Sequence, residues 1–155
     1  MPRAQYRKRH VPTYRSGLEE TIGADVKSRG IGAVYEAAPI TYTKPETRHR
    51  YTGDWFLRRD RGEVTYDFSS NPNWYADEAF WRDHFLVESK GMFSAEDRKK
   101  HLLIQAQYPS SDIRFVFSRS KSPLRKGAKS TYGEWCEKHG FIFADRLIPD
   151  DWFTE

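Results

Sequence analysis

The 155-residue chain contains one cysteine, Cys136. A single cysteine excludes an intrachain disulfide framework and points to a reducing compartment. No apolar run approaches the ~18 residues of a membrane span, and no apolar stretch follows the basic start as in a signal peptide. The expectation is a soluble intracellular protein with no membrane partner. No glycine-rich phosphate loop, Ser/His/Asp arrangement or internal repeat stands out. Cys136 and His139 are spaced for one helical face, but with no further cysteine a core position suits Cys136 better than a metal site.

Acidic residues are missing from two stretches. None precedes Glu19, whereas Arg3, Arg7, Lys8, Arg9 and Arg15 are all basic. None lies between Asp112 and Glu134, a span holding Arg114, Arg119, Lys121, Arg125, Lys126 and Lys129. Net charge is only +4, so it is the clustering that carries information. Two acid-free basic blocks are the footprint of a polyanion, most often nucleic acid. The plainer reading is a solubilising tail and a solvated loop.

Aromatic residues make up 15% of the chain, enough to build the core of a single domain on Trp, Tyr and Phe. Residues 1–14 show no apolar periodicity and read as a flexible basic arm, with the folded body over 15–155. Ser16-x-x-Glu19 is a capping box that opens a helix ending at Gly30. Extended segments follow from Val34 through "PITYT" and again through "RHRYTGDWFL", with Pro45 at an edge or connection. "RRDRGEVTYDF" predicts a hairpin turning at Asp60–Gly62, since Val64, Tyr66 and Phe68 alternate with polar residues. "SSNPN" is a loop, "WYADEAFWRD" a short helix and "FLVES" a strand. Ser94 caps a helix with Leu102, Leu103 and Ala106 inward, "DIRFVFS" is a strand, and Thr131 caps a last helix stopping at Gly140. The order α-β-β-β-α-β-α predicts an α/β layer fold around a mixed sheet.

Glu88 and Lys90 leave one face at the end of the "FLVES" strand, and Gly91 follows. Phosphodiester hydrolysis needs large transition-state stabilisation, commonly from carboxylates holding divalent ions with a lysine beside the attacking water. Asp54 of "YTGDWFL" is the candidate ligand from a neighbouring strand. Two carboxylates about 4 Å apart repel by roughly 4 kcal/mol at an effective dielectric of 20, so such a pair is either metal-bound or has a raised pKa. An E-x-K pair alone is common on surface strands, and Glu19 fits a purely structural role at the third position of its capping box.

The segments "YRSGLEE", "YTGDWFL", "VESKG", "DRKKHLLI", "YGEWCEKHG" and "FADRLIP", in this order, resemble the phage endonuclease I family. These are Holliday-junction resolvases with a restriction-endonuclease-like core. The similarity runs from Tyr14 to Trp152 apart from an insertion near residues 58–83. It implies a mixed sheet flanked by helices in a domain-swapped homodimer that cuts four-way junctions and other branched DNA with Mg²⁺, for which Mn²⁺ substitutes. It assigns Glu19, Asp54, Glu88 and Lys90 to the active site, with metal held by Asp54, Glu88 and the Ser89 carbonyl, and by Glu19 from the partner chain. Lys90 would serve the attacking water, and the segment around Pro45 corresponds to the intersubunit bridge. For a phage-encoded chain the compartment is the host cytoplasm. Gly53 stands where the superfamily usually has proline, and the insertion is expected to protrude between paired strands.

On this reading the arm and the 113–133 block grip phosphates, while Arg98, Lys99 and Lys100 line the path to the site. Such contacts carry no base information, so selectivity comes from junction shape. The alternatives are a non-catalytic branched-DNA-binding protein and a site-specific restriction-type endonuclease. Deleting residues 2–13 removes Arg3, Arg7, Lys8 and Arg9. The slope of log K for junction binding against log[salt] should flatten by up to about 0.9 per lost contact, roughly three to four units in all. An unchanged slope would show that the arm never touches DNA.

Overall fold

The computed structural model describes residues 13–154. Arg3, Arg7, Lys8 and Arg9 lie outside the described residues. The elements in chain order begin with α1 (Gly17–Ser28), β1 (Val34–Tyr35), β2 (Pro39–Lys44), β3 (Thr47–Thr52) and β4 (Trp55–Arg58). They continue with α2 (Glu78–Asp83), β5 (His84–Lys90), α3 (Ala95–Gln107), β6 (Ile113–Phe117), α4 (Tyr132–His139) and β7 (Phe143–Asp145). Short 3₁₀ turns cover Trp74–Ala76 and Asp150–Trp152.

The main sheet has strand order β1-β4-β5-β6-β7. Its β1–β4 and β4–β5 pairs are antiparallel, while β5–β6 and β6–β7 are parallel, so the sheet is mixed. Strands β2 and β3 form a separate antiparallel hairpin whose last pair is Lys44 with Thr47. Its two-residue turn has Pro45 first and Glu46 at φ 73°, the geometry in which proline presets one corner and the next residue must go left-handed. Pro45 therefore sits at a hairpin tip, and the two extended segments close on each other within the chain.

The helix ends follow local chemistry. Ser16, Asp77, Ser94 and Thr131 each accept a backbone N–H of the first turn. Gly140 ends α4 at φ 78°. On α3 the buried residues are His101 and Ile104, with Leu102 and Leu103 half-buried; Ala106 is exposed, because two residues on from Ile104 the helix has turned roughly 200° to its other side. Strand β7, unsigned by any alternating run, forms because β6 offers a free parallel edge.

Alternation along the strands splits the core between the sheet's two faces. Phe56, Leu86 and Ile104 pack on one face together with the β2–β3 hairpin. Trp55, Leu57, Phe85, Val87 and Val116 pack on the other with Ile22 and Val26 of α1. Tyr14, expected at the end of the arm, packs edge-on against Tyr35 with centroids 4.8 Å apart.

Residues 59–83 join β4 to β5, which stay paired from Trp55↔Val87 to Arg58↔His84. This segment does not protrude. It folds back over the first face and buries Trp74, Tyr75, Phe80 and Trp81 against Phe56 and Leu86. No strand forms over residues 63–68; Val64 N donates to Gly32 O at 3.3 Å, but no ladder continues from that bond. The alternation persists all the same: Val64, Tyr66 and Phe68 are half-buried on aromatic rings, and Glu63, Thr65 and Asp67 are exposed. A Cβ on Gly32 would stand 2.6 Å from Glu63 Cα, so that close approach requires glycine. Arg59 ties the far end, its Nη2 donating to Trp81 O at 2.9 Å and to Asp112 Oδ2 at 2.8 Å.

Phe80 is 1% exposed, stacked on His84 at 4.3 Å and within 4.6 Å of Trp74. Phe80→Ala should lower unfolding free energy by about 3–5 kcal/mol in urea titrations. A change under about 1 kcal/mol would show that this segment is not part of the cooperative core.

Candidate active site

Asp54 lies between β3 and β4, immediately before Trp55, whose partner across the sheet is Val87. Continuing that register places Asp54 beside Glu88. The residue before it, Gly53, leaves space that Leu86 fills: a Cβ there would lie 2.7 Å from Leu86 Cδ2. The departure from proline is thus absorbed by core packing, and the aspartate keeps its place.

Both carboxylates are almost fully buried, Asp54 at 1% and Glu88 at 5% exposure. Asp54 Oδ2 accepts from Ser89 N at 2.9 Å and from Ser89 Oγ at 2.7 Å. Its Oδ1 faces Arg15 Nη2 at 3.3 Å. Glu88 Oε1 accepts from the Tyr51 hydroxyl at 2.7 Å, and Lys90 Nζ stands 3.1 Å from Oε2. Lys90 is also 3.5 Å from Asp97 Oδ2. Asp97 completes the capping box of α3 with Ser94, so one side chain ends a helix and holds the lysine.

Glu19 is 4% exposed, far more buried than a surface capping residue. Its backbone N–H is capped by Ser16, but its Oε1 accepts from Arg15 N at 2.6 Å and from the Tyr35 hydroxyl at 3.1 Å. The reciprocal bond to Ser16 is absent; the side chain turns toward the cleft instead. Arg15 joins Glu19 to Asp54, since its Nη2 is 3.8 Å from Glu19 Oε2. Within one chain, Glu88 and Lys90 line a cleft of about 510 Å³ with Arg15, which reaches from its wall to Asp54 and Glu19, and Ser89 holds Asp54 from behind.

The electrostatics follow from burial. Burial first, then the Glu88 charge, pushes the Asp54 pKa up to about 8, against the pull of the Ser89 hydrogen bonds. Burial works to lower Lys90, but Glu88 and Asp97 outweigh it and hold the ammonium charged. Burial and the Glu88 charge raise Tyr51 well above its ordinary value, so its hydroxyl remains a donor. His101 packs edge-on behind the Tyr51 ring at 4.9 Å, fully enclosed, and burial keeps its imidazole neutral.

Asp54, Glu88 and Glu19 supply only oxygen donors, the set that suits a hard divalent ion. Among the described residues no three His, Cys, Asp or Glu side chains already stand in metal-holding geometry, and Lys90, Arg15 and Tyr51 occupy the carboxylate oxygens. The fit rests on that donor set: two nearly buried carboxylates at the ends of adjacent strands make a site short of positive charge, which a divalent cation would supply.

The residues expected to bind DNA divide. Arg119, Lys121, Arg125, Lys126 and Lys129 are exposed on the loop between β6 and α4. Arg98 ties that loop to α3, its Nη1 donating to Phe93 O at 2.7 Å and to Leu124 O at 3.4 Å. Lys99 is exposed, and Lys100 borders the cleft with its ammonium 5.0 Å over the Tyr51 ring. Arg114 is not part of a basic surface: it is buried, bonded to Asp112 and packed over Phe85. Cys136 is a core thiol, raised to about 12 by burial, and His139 lies tilted against Trp135 with ring centroids 4.6 Å apart. Sequence reasoning missed Tyr51, Arg50 and Glu36 at the cleft, and Asp97 behind Lys90. Tyr51 stands in the same "YTGDWFL" segment as Asp54, a signal that was there to use.

The family model for phage endonuclease I matches residues 2–155. Endonuclease I of Escherichia phage T7 is 42% identical over 147 residues, covering 95% of this chain and 83% of its own length. Endodeoxyribonuclease 1 of Enterobacteria phage T3 is 44% identical over 136 residues, covering 88% of this chain and 74% of its own. Among the described residues no helix is long and apolar enough to cross a membrane.

The raised Asp54 carboxyl makes metal-free stability depend on pH. With a folded value near 8 against an ordinary 3.8, the folded state holds the extra proton between those values. Stability is then fully present below about pH 4 and lost as pH rises through about 8, on the order of several kcal/mol. In EDTA, Asp54→Asn should melt far less pH-dependently over this window and be the more stable protein at pH 8. Parallel melting curves for the two proteins would refute the buried-charge account.

Proposed function

The chain belongs to the phage endonuclease I family and is an endodeoxyribonuclease, and from that premise we propose that it resolves four-way (Holliday) junctions and other branched DNA as a domain-swapped homodimer. The observation that carries this is the buried Asp54–Glu88 pair with Lys90 on Glu88, opening into a cleft also bordered by Arg15, Arg50 and Lys100. Cationic side chains at the rim would admit a phosphodiester, and the carboxylates beneath would hold a divalent ion for the reaction.

Asp54, Glu88 and the Ser89 carbonyl would hold Mg²⁺, or Mn²⁺ in its place, and Glu19 would serve a second ion. Bound there, the ion supplies Lewis-acid polarisation of the phosphate and hydroxide at neutral pH. Lys90 keeps its proton, so it can orient the attacking water and offset negative charge building on the phosphate. Tyr51 and Lys90 hold one Glu88 oxygen each, which fixes that carboxylate before substrate arrives. Contacts from Arg119, Lys121, Arg125, Lys126 and Lys129 to phosphates read junction shape and no base sequence.

The hairpin supports the swap. Glu46 is a non-glycine residue at φ 73°, a conformation costing roughly 1–2 kcal/mol. Opening the turn at Pro45–Glu46 would release that strain, and β2 of one chain would pair with β3 of its partner, each bringing Glu19 to the other's Asp54.

Glu88→Gln keeps the shape and removes a metal-binding charge. Junction cleavage should fall by orders of magnitude, while junction binding in Ca²⁺ or EDTA persists; cutting at the wild-type rate would refute the site. The swap has its own test: a heterodimer of one Glu19→Ala chain and one Glu88→Ala chain. In the swapped arrangement one site carries both lesions and the other none, so the heterodimer should nick one strand of a junction although both homodimers are dead. If each site forms within one chain, the heterodimer will be as inactive as its parents.

A further inference from the structure

Arg15 stands among the carboxylates that the proposed function gives to the metal. Its Nη2 lies 3.3 Å from Asp54 Oδ1 and 3.8 Å from Glu19 Oε2, and its Nη1 pairs with Glu36 Oε2. Asp54 and Glu19 are nearly buried, whereas the Arg15 side chain is 65% exposed. The clasp is anchored on the chain as well: Glu36 sits at φ 47° with its N–H donating to Asp54 O at 2.7 Å. A non-glycine residue held left-handed beside an active site marks a place where the surrounding structure over-determines the backbone.

We infer that Arg15 is the resident counter-cation of the metal-free site and exchanges partners when substrate arrives, its carboxylates passing to the divalent ion and its guanidinium to a DNA phosphate. The inference rests on the proposed metal site. A guanidinium and a divalent ion compete for the same Asp54 oxygen and repel each other, so each weakens the other's hold. A phosphate offers Arg15 a bidentate partner at least as good as the ones it leaves. Being exposed and long, the side chain can make that exchange without moving the backbone. Metal and DNA then favour each other's binding, and the coupling is necessarily reciprocal. The same atoms meet whether Arg15 and Glu19 come from one chain or from a swapped partner.

Ca²⁺ affinity measured by calorimetry without DNA tests the first half. Arg15→Gln should bind Ca²⁺ at least about fivefold more tightly than wild type, the factor an exposed ion pair of ~1 kcal/mol represents. Arg15→Lys, which keeps the charge, should stay close to wild type, so that tighter binding by Arg15→Gln reads the loss of that charge. Equal or weaker Ca²⁺ binding by folded Arg15→Gln would overturn the inference. Salt dependence of junction binding tests the exchange. The wild-type slope should exceed that of Arg15→Gln by about 0.9 in Ca²⁺, where Arg15 is released, and by almost nothing in EDTA. An equal difference in both conditions would mean Arg15 never changes partners. Glu88→Gln serves as the control: if it leaves Ca²⁺ affinity untouched, the metal site itself is misplaced and this inference falls with it.

Discussion

Two carboxylates buried at the ends of adjacent strands are the constraint around which this protein is arranged. Asp54 and Glu88 are taken out of water by the sheet that carries them, and neither desolvation nor mutual repulsion is relieved by the strands alone. Each neighbour answers part of that cost. Ser89 gives Asp54 two hydrogen bonds, Tyr51 and Lys90 take the two oxygens of Glu88, and Arg15 reaches in from the rim. Asp97 then steadies Lys90 from the first turn of α3, while Lys100 covers the Tyr51 ring. The compensation is incomplete at Asp54, whose carboxyl stays raised. That unmet demand for positive charge is what makes the cleft suited to a divalent ion and a phosphate together.

Behind the cleft the aromatic core supplies stiffness. Tyr51 belongs to the same packed face as Phe56, Trp74 and Leu86, so the hydroxyl on Glu88 is carried by a buried ring held in the core. Residues 59–83 extend that face rather than reaching away from it, adding Phe80 and Trp81 to the cluster. On the opposite face α1 packs Ile22 and Val26 against Leu57 and Val87, and this packing sets the depth at which Glu19 enters. Chemistry and core share the same strands: in β5, Phe85 and Val87 face α1, Leu86 joins the aromatic face, and Glu88 ends the run in the cleft.

Much of this was legible because it is written locally. The caps at Ser16, Ser94 and Thr131, the stop at Gly140 and the strand carrying Glu88 and Lys90 each depend on a few neighbouring residues, and they stand where the pattern puts them. What was hidden depends on distant partners. Tyr51 and Glu88 are 37 residues apart, and Arg15 and Asp54 are 39 apart. Arg114 looked like part of a basic block, yet the facing Asp112, Phe85 and Trp152 draw it inside. The run from Val64 to Phe68 alternates correctly but finds no strand to pair with, since alternation reports which side is buried and not whether a ladder exists. Asp54 could be proposed from its strand and resemblance reinforced it, whereas Glu19 entered the site by resemblance alone, because the capping pattern gave it an equally good structural reading.

The central claim joins a metal-dependent site to a shape-selective surface, and one gel addresses both. Purified protein is incubated with a four-way junction and with linear duplex of matching sequence, each in Mg²⁺, Ca²⁺ or EDTA. The account predicts symmetric resolution of the junction in Mg²⁺, no cleavage in EDTA, and a duplex left essentially uncut. Cleavage in EDTA, or duplex cut as fast as the junction, would contradict it.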